Sequence, residues 1–105
     1  MASKNDDLSI VSKFLIRFYH QEPDYLAATT RALKVLRGRD RYRWELATSF
    51  TNILENPLPE DTLKELVLFG ANRLVRSDEE AKEVLKRIYQ DNILDMALFF
   101  DEEMD

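Results

Sequence analysis

An apolar helix face that is abruptly cut short constrains this chain more than any other feature. Val11, Phe14, Leu15 and Phe18 recur at i, i+3, i+4 and i+7, so all four share one side of a helix wide enough to seed a core. Pro23 comes shortly after. It cannot continue that helix, because it lacks an N–H and its ring clashes with the preceding turn. The chain must therefore fold back between His20 and Asp24, and its later segments must cover the face that Val11 to Phe18 present.

The remaining segments repeat the pattern on a short period. The first helix is predicted over about residues 8–20, with Asp6 or Asp7 as its cap and Leu8 extending its apolar face. A second should start near Pro23, a residue suited to a first helical turn, and run to Gly38 as a left-handed terminator. Its stripe would be Leu26, Thr29 or Thr30, Leu33 and Leu36. Asp40 then caps a third helix through Asn56, with Leu46, Phe50, Ile53 and Leu54 inward and Pro57 as its stop. Leu58-Pro59-Glu60-Asp61 opens a fourth, with Leu63, Leu66, Val67 and Gly70 or Ala71 inside. Gly70 either ends that helix or admits a close neighbour. Ser77-Asp78-Glu79-Glu80 has the capping-box spacing, Ser at N-cap and Glu at N3, ahead of Ala81, Val84, Leu85 and Ile88. A last short helix is expected over about 91–100, and Asp101 to Asp105 form an acidic tail.

With two glycines, three prolines and no alternating apolar–polar run, the expected class is all-α: a compact bundle of five to six short, mostly antiparallel helices. Residues 1–105 should form a single helical domain, with 1–6 as a frayed N-terminus and 101–105 as the tail. There is no cysteine, so disulfides and thiolate metal sites are excluded. No apolar run approaches the length of about 18 residues that spans a bilayer, and Met1 to Asp7 lack the pattern of a secretory signal. A cytoplasmic protein is the expectation.

Charge is unevenly laid out behind the net −5. Residues 31–56 carry six bases (Arg31, Lys34, Arg37, Arg39, Arg41, Arg43) against three acids, whereas 76–105 carry four bases against ten acids. Helical spacing compensates Glu79 with Lys82, and Glu83 with Lys86 and Arg87. Asp91, Asp95, Asp101 and Glu102 have no such local partner, which makes them candidates for contacting a basic protein surface. Tyr19, Tyr42 and Trp44 are candidate aromatic anchors. The basic run with Tyr42 and Trp44 interleaved also suits nucleic acid, but the overall acidity opposes a polyanion, and packing against the acidic C-terminal third is the expected role.

Catalysis has no visible basis. The single histidine, His20, stands near Glu22 and Asp24, yet nothing supplies a second base, an oxyanion hole or a recognised motif around them. Its expected role is to satisfy carbonyls at the end of the first helix. The lone glycines make no phosphate-cradling loop, and the carboxylate pairs lack calcium-loop spacing. No metal or cofactor is expected, and no enzymatic activity.

Phe18-Tyr19-His20-Gln21-Glu22, closing the first apolar helix, resembles the aromatic-aromatic-His-Gln-acid signature of small helical immunity proteins from bacterial contact-dependent growth-inhibition systems. Ile53-Leu54, then Pro59-Glu60-Asp61-Thr62-Leu63, then Ser77-Asp78-Glu79-Glu80-Ala81 run similarly, so the likeness spans about residues 8–90. This chain departs from the pattern in having Glu22 where Asp is usual, and no tryptophan just after it. The resemblance implies an all-α protein that neutralises a cognate toxin domain, often a nuclease, in the cytoplasm without cofactor or turnover. The expected partner is thus a toxin protein, a basic nuclease in the leading case, with no membrane partner and a monomer or weak dimer in solution. A helical regulatory or adaptor protein, phage-borne or otherwise, that binds a host protein is the alternative. A nucleic-acid binder working through residues 31–43 comes third.

Overall fold

The computed structural model describes residues 4–94, and all regular structure there is helical. Helix α1 spans Lys4–Phe18, α2 Tyr25–Leu36, α3 Asp40–Glu55, α4 Thr62–Glu65 and α5 Asp78–Tyr89. Two of them widen into π-helical turns, α4 over Leu66–Gly70 and α5 over Gln90–Leu94. The protein is a small all-α bundle. No helix among the described residues is long and apolar enough to cross a membrane.

The apolar face of α1 is the centre of the core. Val11, Phe14, Leu15 and Phe18 are all buried, and α1 lies against both α3 and the π turn after α4. The Phe14 ring meets Phe18 at 5.2 Å, Tyr19 at 6.1 Å and, edge-on, Phe50 at 6.0 Å. Burying one such side chain contributes about 1.5–3 kcal/mol before any gain from ring geometry. Leu46, Phe50 and Ile53 come in from α3, and Ala81, Leu85 and Ile88 close the core from α5. Leu63, Leu66, Val67 and Ala71 are buried as their spacing predicts.

Several boundaries differ from expectation, each for a local physical reason. Helix α1 starts a turn early, at Lys4, so Asp7 is not its cap. Asp7 is buried instead, and its carboxylate accepts hydrogen bonds from Ser49 Oγ and Asn52 Nδ2 of α3, both at 3.1 Å. Those donors offset its desolvation and clamp α1 to α3. Pro23 stands outside α2, and Asp24 caps that helix by accepting from the amides of Leu26 and Ala27. The helix is turned so that Ala28, Thr29, Ala32 and Leu36 face the core, leaving Leu26 72% exposed. Gly38 is not left-handed; the turn closes through Arg39 N–H donating to Leu36 O at 3.0 Å.

Helix α3 ends at Glu55. Asn56 is extended, as a residue before proline must be. Pro59 is not in the first turn of α4, which begins three residues later. Asp61 has φ 68°, a left-handed conformation in which its own side chain makes no cap bond. The Asp78 carboxylate of α5 caps α4 from outside instead, accepting from Asp61 N–H at 2.8 Å and Lys64 N–H at 2.9 Å. Ser77 caps α5 as the sequence predicts, its Oγ accepting from Glu80 N–H at 3.2 Å. The helix expected over 91–100 does not start afresh; α5 runs on into Gln90–Leu94. Its remainder and the acidic tail lie outside the described residues.

Candidate interaction surfaces

The five-residue signature at the end of α1 is a piece of fold architecture. Phe18 and Tyr19 are buried. Tyr19 Oη accepts from Asn92 Nδ2 at 2.8 Å and shares a 2.7 Å hydrogen bond with the Thr29 hydroxyl. Tyr19 thereby ties α1 to α2 and to the turn after α5, and it is no exposed anchor. Burial pushes its hydroxyl pKa up, partly opposed by those two hydrogen bonds. The carbonyls left open at the end of α1 are not satisfied by the His20 ring. Arg73 instead ties down the turn that follows α1, its guanidinium donating to Tyr19 O at 3.2 Å and Glu22 O at 2.7 Å, and to Ala71 O of its own loop at 3.0 Å. His20 contributes backbone only, its N–H to Leu15 O and its carbonyl to Asn72 Nδ2.

Asp91 is committed inside the molecule. Tyr25 Oη donates to its carboxylate, and Arg87 stands 3.8 Å from it. The same Arg87 guanidinium lies over the Tyr25 ring, 4.3 Å from its centroid. Arg87 thus serves Asp91 rather than Glu83, and Asp91 is not an acid without a local partner: Arg87 stands at i−4, a helical spacing that the expected pairing with Glu83 leaves out. Tyr42 is half-buried, whereas Trp44 is 72% exposed on α3. Asp95, Asp101 and Glu102 fall outside the described residues, as does the expected packing of the basic run on the acidic C-terminal third.

Two surface features emerge that the sequence did not single out. The first is a set of exposed apolar side chains. Gly70 meets Leu15 so closely that a Cβ there would lie 3.2 Å from Leu15 Cδ1. The chain neighbours of these two residues, Ile16 and Phe69, stand 50% and 67% exposed. Leu74, next to the anchored Arg73, is 85% exposed. Periodicity marks such residues as apolar but not as outward-facing, because that depends on how α4 is rotated.

The second feature is a basic cleft of about 330 Å³ between α1 and the start of α3, lined by Ile10, Lys13, Arg17, Arg39, Tyr42 and Glu45. Burial pushes the Tyr42 hydroxyl pKa up, Arg17 and Arg39 pull it back, and Glu45 adds to the rise. One sequence signal existed for the cleft: Lys13 and Arg17 are like charges at i, i+4, a spacing that repels on a helix.

No protein-family model, curated protein or solved structure matches this chain. What the protein does has to be read from its own surface chemistry. Among the described residues no group of three or more histidine or acidic side chains is placed to hold a metal ion. Glu22 and Asp24, the carboxylates nearest His20 in sequence, spend their oxygens on local backbone amides.

Proposed function

We propose that the protein acts by stoichiometric binding to another protein, as an immunity protein that neutralises a cognate bacterial toxin domain and turns over no substrate. The observation that carries the binding role is the exposure of four large apolar side chains, Ile16, Trp44, Phe69 and Leu74. Exposed large apolar side chains on a domain this small mark protein contact surfaces, and aromatic residues supply most hot spots. The toxin assignment rests on the Phe18–Glu22 signature. Its residues build the closing turn of α1, the kind of role that relatives sharing a fold would keep in common.

A bundle of this size offers a standard interface of about 800 Å² per partner. A basic nuclease would be steered by the net negative charge, with Asp95, Asp101 and Glu102 as contact candidates and Asp91 reserved for Tyr25. The test is co-expression with the toxin-like product of the neighbouring gene, and then calorimetry on the purified pair. Rescue of growth and a one-to-one complex are expected. Trp44→Ala or Phe69→Ser should weaken the complex by about 2 kcal/mol or more at a hot spot, with the melting temperature of the free protein unchanged. Failure of rescue together with the absence of a complex would refute the reading.

A further inference from the structure

We propose that the cleft between α1 and the start of α3 binds a small phosphate-bearing anion, whose oxygens are held by Lys13, Arg17 and Arg39. These three cations converge from two walls, Lys13 and Arg17 one turn apart on α1 and Arg39 from the turn before α3. None of them has an ion-pair partner within 4.0 Å among the described residues. Glu45 is the single acid among the lining residues, so the cleft carries a net charge of +2. Like charges gathered in this way repel one another and destabilise the fold unless something compensates them.

The geometry favours phosphate over carboxylate. A carboxylate is planar, and one guanidinium fork satisfies both its oxygens. Three cations carried by two elements that line one cleft, with Tyr42 among them, suit a tetrahedral group that presents oxygens in several directions. Ile10 adds an apolar surface for the body of an ester. The volume of about 330 Å³ lies at the small end of ligand sites, which fits a mononucleotide or a phosphorylated metabolite rather than a polymer. A long polyanion would also meet the net charge of −5, whereas a small anion feels only the local field within a screening length of about 8 Å. The cleft is lined by none of Ile16, Trp44, Phe69 and Leu74, so the proposal is independent of toxin binding.

The test is a ¹H–¹⁵N titration of the full chain with inorganic pyrophosphate and with adenosine monophosphate, against citrate at matched ionic strength. Saturable shifts in the amides of residues 10–17 and 39–45 are expected with both phosphates and not with citrate. Arg17→Gln or Arg39→Gln should weaken binding about tenfold, as loss of a charge-assisted hydrogen bond does. Arg31→Gln, on the exposed face of α2, should leave it unchanged. Glu45→Gln should tighten it, a gain that no unfolded variant can mimic. Unsaturable shifts, equal binding of citrate, or an equal loss in Arg31→Gln would overturn the proposal. So would binding of a single-stranded oligonucleotide without saturable pyrophosphate binding, which would make the face a nucleic-acid surface instead.

Discussion

The two glycines look alike in the sequence, yet their surroundings give them opposite roles. A Cβ at Gly70 would stand 3.2 and 3.3 Å from Leu15 Cδ1 and Cβ, inside the buried contact between α1 and the π turn. At Gly38 nothing lies within 4 Å and φ is not positive. Gly70→Ala should therefore destabilise the protein by about 1–3 kcal/mol through overpacking. Gly38→Ala should stabilise it by about 0.4–1 kcal/mol, since alanine narrows the unfolded ensemble without native strain. A urea midpoint raised in Gly70→Ala would contradict the first role, and one lowered in Gly38→Ala the second. Either role was open for Gly70 in the sequence, and the second was not expected for Gly38. Asp7 departs from its expected role for a related reason. The short acid that suits an N-cap also suits a buried clamp, and only the position of Ser49 and Asn52 selects between them.

At the scale of elements, the helix ends divide by the distance from which they are capped. Ser77 and Asp24 each cap the helix that starts at the next residue. The capping-box spacing makes Ser77 legible, whereas Asp24 has Ala27 at N3, and the sequence favours Pro23 as the start instead. Helix α4 is four residues long and has no cap of its own, so it depends on Asp78 from another helix. Asp78→Ala should cost about 1.5–3 kcal/mol, the range for hydrogen bonds to a charged acceptor. Hydrogen exchange should show the amides of Asp61 to Gly70 losing protection well before those of α3. Uniform loss across the bundle would mean that α4 is held by its buried leucines alone. Arg73 likewise holds the turn after α1 from a distance, 54 positions away in the case of Tyr19. No local pattern could reveal either contact, because each depends on a loop arriving from elsewhere.

Across the whole molecule, the tyrosines join the chain's beginning to its end. Tyr19 and Tyr25 connect α1 and α2 to Asn92 and Asp91 in the last described turn. Burial pushes both hydroxyls above the ordinary tyrosine value of 10.0, and for Tyr25 the hydrogen bond to the Asp91 carboxylate pushes further the same way. The folded state therefore holds these protons more tightly than the unfolded chain does. Their contribution is full below about pH 10 and is lost as pH rises through that value toward the folded pKa. Melting temperature should fall between about pH 9 and about pH 11, and Tyr25→Phe should flatten that fall. A pH-independent melting temperature over the same range would show that the tyrosine network does not couple to folding.

Helical class, the apolar face of α1 and most of the inner residues of α3 and α5 were readable without coordinates. They stem from periodicity and from the scarcity of helix breakers, both properties of neighbouring residues. The rotation of α2, the burial of Tyr19 and Asp7, the bond from Tyr25 to Asp91, and the arrival of Arg39 at the cleft of Lys13 and Arg17 were not. Each of these is settled by which helix lies across from which, and covalent spacing along a chain carries no information about partners brought together only when the core closes.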